Sequence, residues 1–269
     1  MRLNITHRTV YHYEGAPIYS AQILRVTPRT NLSQHVLRWR LDAPGGLSAW
    51  TDAFGNVCHT HVVDDPPERL AITAYGEVIT SEVNGILPAD EGDLPLQVFL
   101  RQTALTKPSA GMSAFAEGFA GKVAKDPMDG LHALMADLHG KVSLAPDNAE
   151  TLSNAAEAFA AAAGGCRDQA HIFIGMARAL GVPARYVSGY LHDPGSGGES
   201  TSGHAWASAW VPGVGWVSFD PVHERSATEA YVSLAVGLDD ESASPLRGMR
   251  SGGDGADALE VSVTVSAQQ

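Results

Sequence analysis

The sequence predicts an α+β protein, an antiparallel β-sandwich followed by a domain of helices packed on an antiparallel sheet. Two observations point there. Up to about residue 80, short runs of alternating apolar and polar residues are separated by turn signals. After that, apolar residues recur at helical spacing until residue 180, and β-branched and aromatic runs then return around a hairpin turn. At 269 residues the chain can hold one large domain or two modest ones.

In the first part, Leu3 and Ile5 alternate with polar neighbours, and 22–26, 35–41 and 70–80 continue as extended runs. Turns fall at Gly15-Ala16-Pro17, 28–31, Pro44-Gly45-Gly46, Gly55-Asn56 and 64–67. Several short strands at that spacing read as a sandwich. Cys58, His59 and His61 invite a metal reading, but on a strand the cysteine faces away from both histidines and a fourth ligand is missing. No metal is expected there.

A turn-rich connector at 84–95 marks the domain boundary, giving residues 1–85 as the β domain and 86–269 as the second domain with a terminal strand. Helices are expected over 96–105, 111–124 and 127–142, the last opened by Asp126-Pro127 as N-cap and first-turn pair. His132 and His139 sit seven residues apart on it, a spacing that suits partly exposed residues better than ligands. A polar break at 143–148 precedes an alanine-rich helical stretch at 149–163.

The stretch 164–180, GGCRDQAHIFIGMARAL, is the organising element. Cys166, Ala170, Phe173, Ala177 and Leu180 share one helix face. Ile172, Met176 and Ala179 widen the apolar sector, and Arg167, His171 and Arg178 gather opposite it. So broad a sector predicts an enclosed helix, closed by Gly181 and Pro183. Cys166 then stands in the first turn, where unpaired N–H groups favour thiolate. Asp168, in the same turn, reads as structural and as a partner for Arg185. His171, on the polar side, points away from Cys166 and is a poor base.

Strands are expected at 184–192, 203–211 and 215–220, with a Gly/Ser-rich loop at 193–202 leading into His204 near the site. The hairpin GHAWASAWVPGVGWVSFDPV carries His204 on one strand and Asp220 at the end of the next. A cysteine, an imidazole and a third group that orients it form a nucleophilic triad. Asp220 taken alone reads more readily as a strand-ending turn residue before Pro221. Trp206, Trp210 and Trp216 read as core or cleft wall. A tail rich in Gly, Ser and Asp at 239–256 precedes a final alternating strand through Leu259, Val261, Val263 and Val265.

The order Cys166, His204, Asp220, with CRD at the helix start, PARYVSGYL after it and HAW…GW…FDP, resembles the transglutaminase-like superfamily. It is most similar to the bacterial branch of transglutaminase-like cysteine proteases. MRLNITHRTVYHYEGAP and DAFGNV resemble that branch's N-terminal β domain, so the resemblance covers nearly the whole chain. It implies a papain/transglutaminase-like catalytic domain with Cys166, His204 and Asp220 as catalytic residues, and it settles Asp220 into the site. The small residues of HAWASAW and the segment FDPVH depart from the usual pattern outside the triad.

The implied activity is a cysteine-dependent hydrolase that cleaves a peptide or amide bond through a thioester. The alternatives are an acyltransferase that resolves the thioester with an amine, a non-catalytic binding module, and a metalloenzyme using the same three side chains. No cofactor is expected. The expected partner is a peptide or protein substrate. A net charge of −12 argues against nucleic acid and anionic membrane surfaces. The start has no apolar leader and no run approaches a membrane span, so a cytoplasmic protein is expected, in which Cys58 and Cys166 stay unpaired.

Overall fold

In the computed structural model, residues 1–15, 17–87, 94–145, 154–193, 199–200, 203–252 and 257–268 are described. The first part runs through β1 (Arg2–Tyr13), β2 (Tyr19–Leu24), β3 (Gln34–Asp42), β4 (Gly46–Thr51), β5 (Val57–Asp64), β6 (Arg69–Thr80) and a short β7 (Ile86–Leu87). A 3-10 turn (Leu96–Leu100) precedes α1 (Ala110–Glu117), α2 (Ala120–Lys125), α3 (Pro127–Lys141), β8 (Ser143–Leu144), α4 (Ala155–Ala161), β9 (Ala163–Gly164) and α5 (Cys166–Ala179). Then come β10 (Ala184–Leu191), β11 (Glu199–Ser200), β12 (His204–Val211), β13 (Gly215–Phe219) and β14 (Tyr231–Gly237). Last are α6 (Asp240–Ala243), β15 (Leu246–Ser251) and β16 (Asp257–Ala267). The architecture is α+β with antiparallel main sheets, as the residue patterns predict.

Two sheets form the sandwich, in the orders β11-β16-β1-β6-β3 and β15-β2-β5-β4. Leu24, Val26, Ile72 and Ala74 fill the space between them, with Trp39, Leu41 and Leu47 packed alongside. The alternation in β16 places that strand within the sequence range 86–269, but it says nothing of a partner. β16 pairs with β1 from Leu3–Ala267 to Tyr13–Asp257, and β15 pairs with β2, so both ends of the chain build the sandwich. Side-chain continuity explains the pairing. Leu3 and Ile5 of β1 and Val263 and Val265 of β16 share one core cluster, completed by Tyr190, Val232 and Leu234 of the other layer.

The third main sheet has the order β14-β10-β12-β13-β7. One face, made by Ala184, Tyr186, Ala205, Ala207, Ala209, Val217 and Phe219, receives α5. Three alanines on β12 let the helix approach closely, and Phe173 stacks on Phe219 with ring centroids 4.9 Å apart. On the other face, Val187, Trp206, Tyr231 and Val236 meet Phe54 from the sandwich.

Several elements differ from expectation. The helix expected at 96–105 is only a 3-10 turn, because the Thr103 and Thr106 hydroxyls take each other's backbone N–H and compete with helical bonding. The helix expected at 111–124 breaks at Gly118-Phe119 into α1 and α2. The tail at 239–256 contains α6 and β15, and β4 and β14 are further strands. Half of the polar break at 143–148, the start of the alanine-rich stretch and most of the loop at 193–202 lie outside the described residues. No helix among the described residues is long and apolar enough to cross a membrane.

Candidate active site

Gly164 and Gly165 set the start of α5. A Cβ on Gly164 would lie 2.7 Å from that of Asp168, so glycine is what allows the Asp168 side chain to fold back over the helix end. Its Oδ2 accepts from the Gly165 N–H at 3.0 Å, and Oδ1 pairs with Arg167 at 3.3 Å. The expected pairing with Arg185 does not form. Arg185 alternates with Ala184 and Tyr186 on β10, so it points to the sheet face away from α5 and lies 4.1 Å over the Trp216 ring.

Cys166 is the first residue of α5 and is half-buried, whereas Cys58 is buried on β5. The first-turn N–H groups of a helix have no acceptor within it, and they offer positive potential to an anionic sulfur. His204 opens β12 and Asp220 follows β13, two neighbours in the sheet. The imidazole uses Nε2 toward Asp220 Oδ2 at 2.6 Å, and Cys166 lies near enough to help raise its pKa. The structure therefore brings Cys166, His204 and Asp220 together.

Asp220 is fully buried, which alone would favour its neutral form, yet its pKa is held below the usual carboxylate range. The cause is hydrogen bonding to the charged form. Oδ2 meets His204, the Tyr231 hydroxyl at 2.7 Å and His223 Nδ1 at 2.9 Å, while Oδ1 accepts from the backbone N–H of Val222 at 3.0 Å. Burial also opposes the charged form of His204, but hydrogen bonds to Asp220 and Cys166, and their negative charge, raise its pKa to about 9. Tyr231 is itself held by Arg225 Nε at 3.0 Å. The ring of Trp206 packs edge-on against Tyr231, with centroids 5.3 Å apart.

His223 and Tyr231 are site residues missed by sequence reasoning. A histidine three residues after the carboxylate in FDPVH is the signal for the first, and the apolar run beginning at Tyr231 for the second. His171 and Arg178, read as the polar side of α5, are buried. His171 Nε2 accepts from the Asp240 N–H at 3.0 Å, and burial pushes its pKa down to about 3. Arg178 donates to the carbonyls of Phe99, Ala184 and Leu238, so it ties the helix to three segments. His139 bonds the Pro221 carbonyl at 2.8 Å and the His132 ring lies 4.9 Å from that of Phe219. At Cys58-His59-Thr60-His61, His61 is buried and engaged by Gln22 Oε1 at 2.6 Å.

The chain is similar to known proteins over nearly its whole length. Residues 114–221, which include Cys166, His204 and Asp220, match the transglutaminase-like superfamily core, and residues 3–79 match the bacterial transglutaminase-like N-terminal region. The uncharacterized protein ML0607 of Mycobacterium leprae is 30% identical, with 98% of each chain covered. The uncharacterized protein Rv2569c of Mycobacterium tuberculosis is 28% identical over 98% of this chain and 92% of its own. Among solved structures, a "Putative Cysteine Protease from Cytophaga hutchinsonii" superimposes with a TM-score of 0.75 at 20% identity, covering 100% of this chain and 92% of that one. With core, N-terminal region and full-length relatives in agreement, the chain belongs to the transglutaminase-like superfamily.

Proposed function

We propose that the protein is a cysteine hydrolase that cleaves a peptide or carboxamide bond through a thioester, with Cys166, His204 and Asp220 as catalytic triad. The observation that carries this reading is the 2.6 Å contact of His204 Nε2 with the buried Asp220 carboxylate, on an imidazole whose pKa the nearby Cys166 at the start of α5 also raises. A buried carboxylate on Nε2 fixes ring orientation and favours imidazolium, which in turn favours thiolate at Cys166.

Thiolate sulfur attacks the carbonyl carbon, and the negative charge that moves to oxygen is met by first-turn N–H groups of α5, that of Cys166 included. The His204 proton passes to the departing amine nitrogen as the carbon–nitrogen bond breaks, leaving a thioester and a neutral imidazole. Water, deprotonated by that imidazole, then attacks the thioester and returns the thiolate–imidazolium pair. An amine in place of water gives acyl transfer by the same steps, and only exclusion of water separates the two outcomes.

The test is to offer small peptide and carboxamide libraries and follow the intact mass of the enzyme. A transient adduct on Cys166 equal to the acyl portion of a substrate is expected, with released acid as product. Product carrying an added primary amine instead, at the expense of acid, would make the enzyme an acyltransferase.

A further inference from the structure

We propose that His204, Asp220 and His223 form a zinc-binding site that switches the enzyme off when a cation enters it. His204 Nε2 and His223 Nδ1, from different segments, converge on one oxygen, Asp220 Oδ2, at 2.6 and 2.9 Å, and the three atoms lie within 4.8 Å of one another. The two rings stand at 72°, with centroids 5.2 Å apart, so both nitrogens face the same point without the rings clashing. A tetrahedral zinc ion, about 2.0–2.1 Å from each donor, holds donor atoms roughly 3.3 Å apart. The two nitrogen–oxygen separations therefore need to open by only several tenths of an ångström, and the two nitrogens already lie within 4.8 Å of each other. His223 can supply that movement, because its side chain is 36% exposed and sits in a turn. The same exposure gives a cation a route in from solvent.

The rest of the environment suits a ligand set. The ion would take the place of the protons now shared between Oδ2 and the two rings. Tyr231 donates to the same carboxylate oxygen at 2.7 Å, so the orientation of that ligand is already supported from outside. With two imidazoles and one carboxylate, and Arg225 close behind Tyr231, the donor set favours zinc, copper or nickel over magnesium or calcium. Three protein ligands leave a fourth position for water. Zinc on Nε2 would separate His204 from Asp220 and prevent proton cycling at the thiol. The binding claim stands on geometry alone, and the inhibition claim rests on the thiol mechanism proposed above.

The experiment separates the two. Zinc is titrated by calorimetry into full-length Cys166→Ala protein, and into the same protein carrying His223→Gln. One ion per chain is expected in the first, weakened in the second by more than the roughly 10–100-fold that loss of an outer partner costs. Cobalt(II) added to wild-type protein should give tetrahedral d–d bands without a thiolate charge-transfer band. Wild-type turnover should fall with zinc occupancy, recover with chelator and ignore magnesium and calcium. Zinc binding that needs Cys166, a thiolate band with cobalt, or affinity unchanged by His223→Gln would overturn the site. Turnover that is unaffected or raised by bound zinc would overturn the inhibition, and a rise would also count against the thiol mechanism.

Discussion

His204 Nε2 lies 2.6 Å from Asp220 Oδ2, and the carboxylate it meets has no exposed surface. Everything proposed about the chemistry depends on this contact, because a buried negative charge on one ring nitrogen determines what the other can do. Its pH signature follows. The folded pKa of His204 is about 9 against an ordinary 6.5, so the pairing stabilises the fold fully below pH 6.5 and is lost as pH rises through about 9.

Turnover should therefore fall as pH passes about 9, where the imidazolium loses its proton. Asp220→Asn should bring that limb down, since burial then opposes the charged ring with less to counter it, and should lower neutral turnover by on the order of 10²–10⁴-fold. A pH–rate profile of the two proteins checks this. An alkaline limb that stays in place in the variant would mean that Asp220 does not set the His204 pKa.

Tyr231→Phe removes one donor from an ionised, buried acceptor. A hydrogen bond of that kind contributes about 1.5–3 kcal/mol, so urea unfolding at neutral pH should show a loss of that size. Because the hydroxyl favours the charged carboxylate, the penalty should shrink as pH falls through the folded pKa of Asp220, which lies below the usual carboxylate range. An equal penalty at every pH would assign the effect to packing alone.

The two thiols should react differently. Cys58 is 0% exposed, and burial together with the nearby Asp52 charge pushes its pKa up to about 11. Cys166 is half-buried at a helix start beside an imidazole. Iodoacetamide near pH 6 should alkylate Cys166 in the folded protein while leaving Cys58 intact, as read by peptide mass mapping. Equal rates would remove the case for an activated thiol.

Gly175 provides a test of packing. Helix propensity alone favours alanine over glycine by about 1 kcal/mol in a helix interior. Here an added Cβ would lie 2.1 Å from the Thr106 carbonyl oxygen, so the loop before α1 would have to move. Gly175→Ala should destabilise the protein by about 1–3 kcal/mol or more in chemical denaturation. A stabilised variant would show that this loop yields easily.

How much of this is legible in the sequence depends on whether the signal is local. Cys166 can be read because two glycines and an uninterrupted apolar helix surround it, and His204 because it heads an alternating strand. Asp220 has a second plain reading as a turn residue, and resemblance to the family is what brings it forward. Tyr231 reaches Asp220 across 11 positions of chain, and Asn56 reaches the Val236 carbonyl across 180, distances over which no periodicity speaks. The same holds for β16, whose alternation declares a half-buried strand but leaves β1 as partner unstated. The burial of Arg178 is hidden because its guanidinium is satisfied by carbonyls from three separate segments.

The most direct test of the central claim is turnover by Cys166→Ala, measured on any peptide or amide that the wild-type protein cleaves. Sulfur forms the bond in the first step, so the variant should lose turnover entirely while its melting temperature and circular dichroism match wild type. His204→Ala should do the same, and the double variant should be no worse than either single one, because groups that act together are not additive. A stably folded Cys166→Ala protein that turns over at near wild-type rate would contradict the thioester mechanism outright.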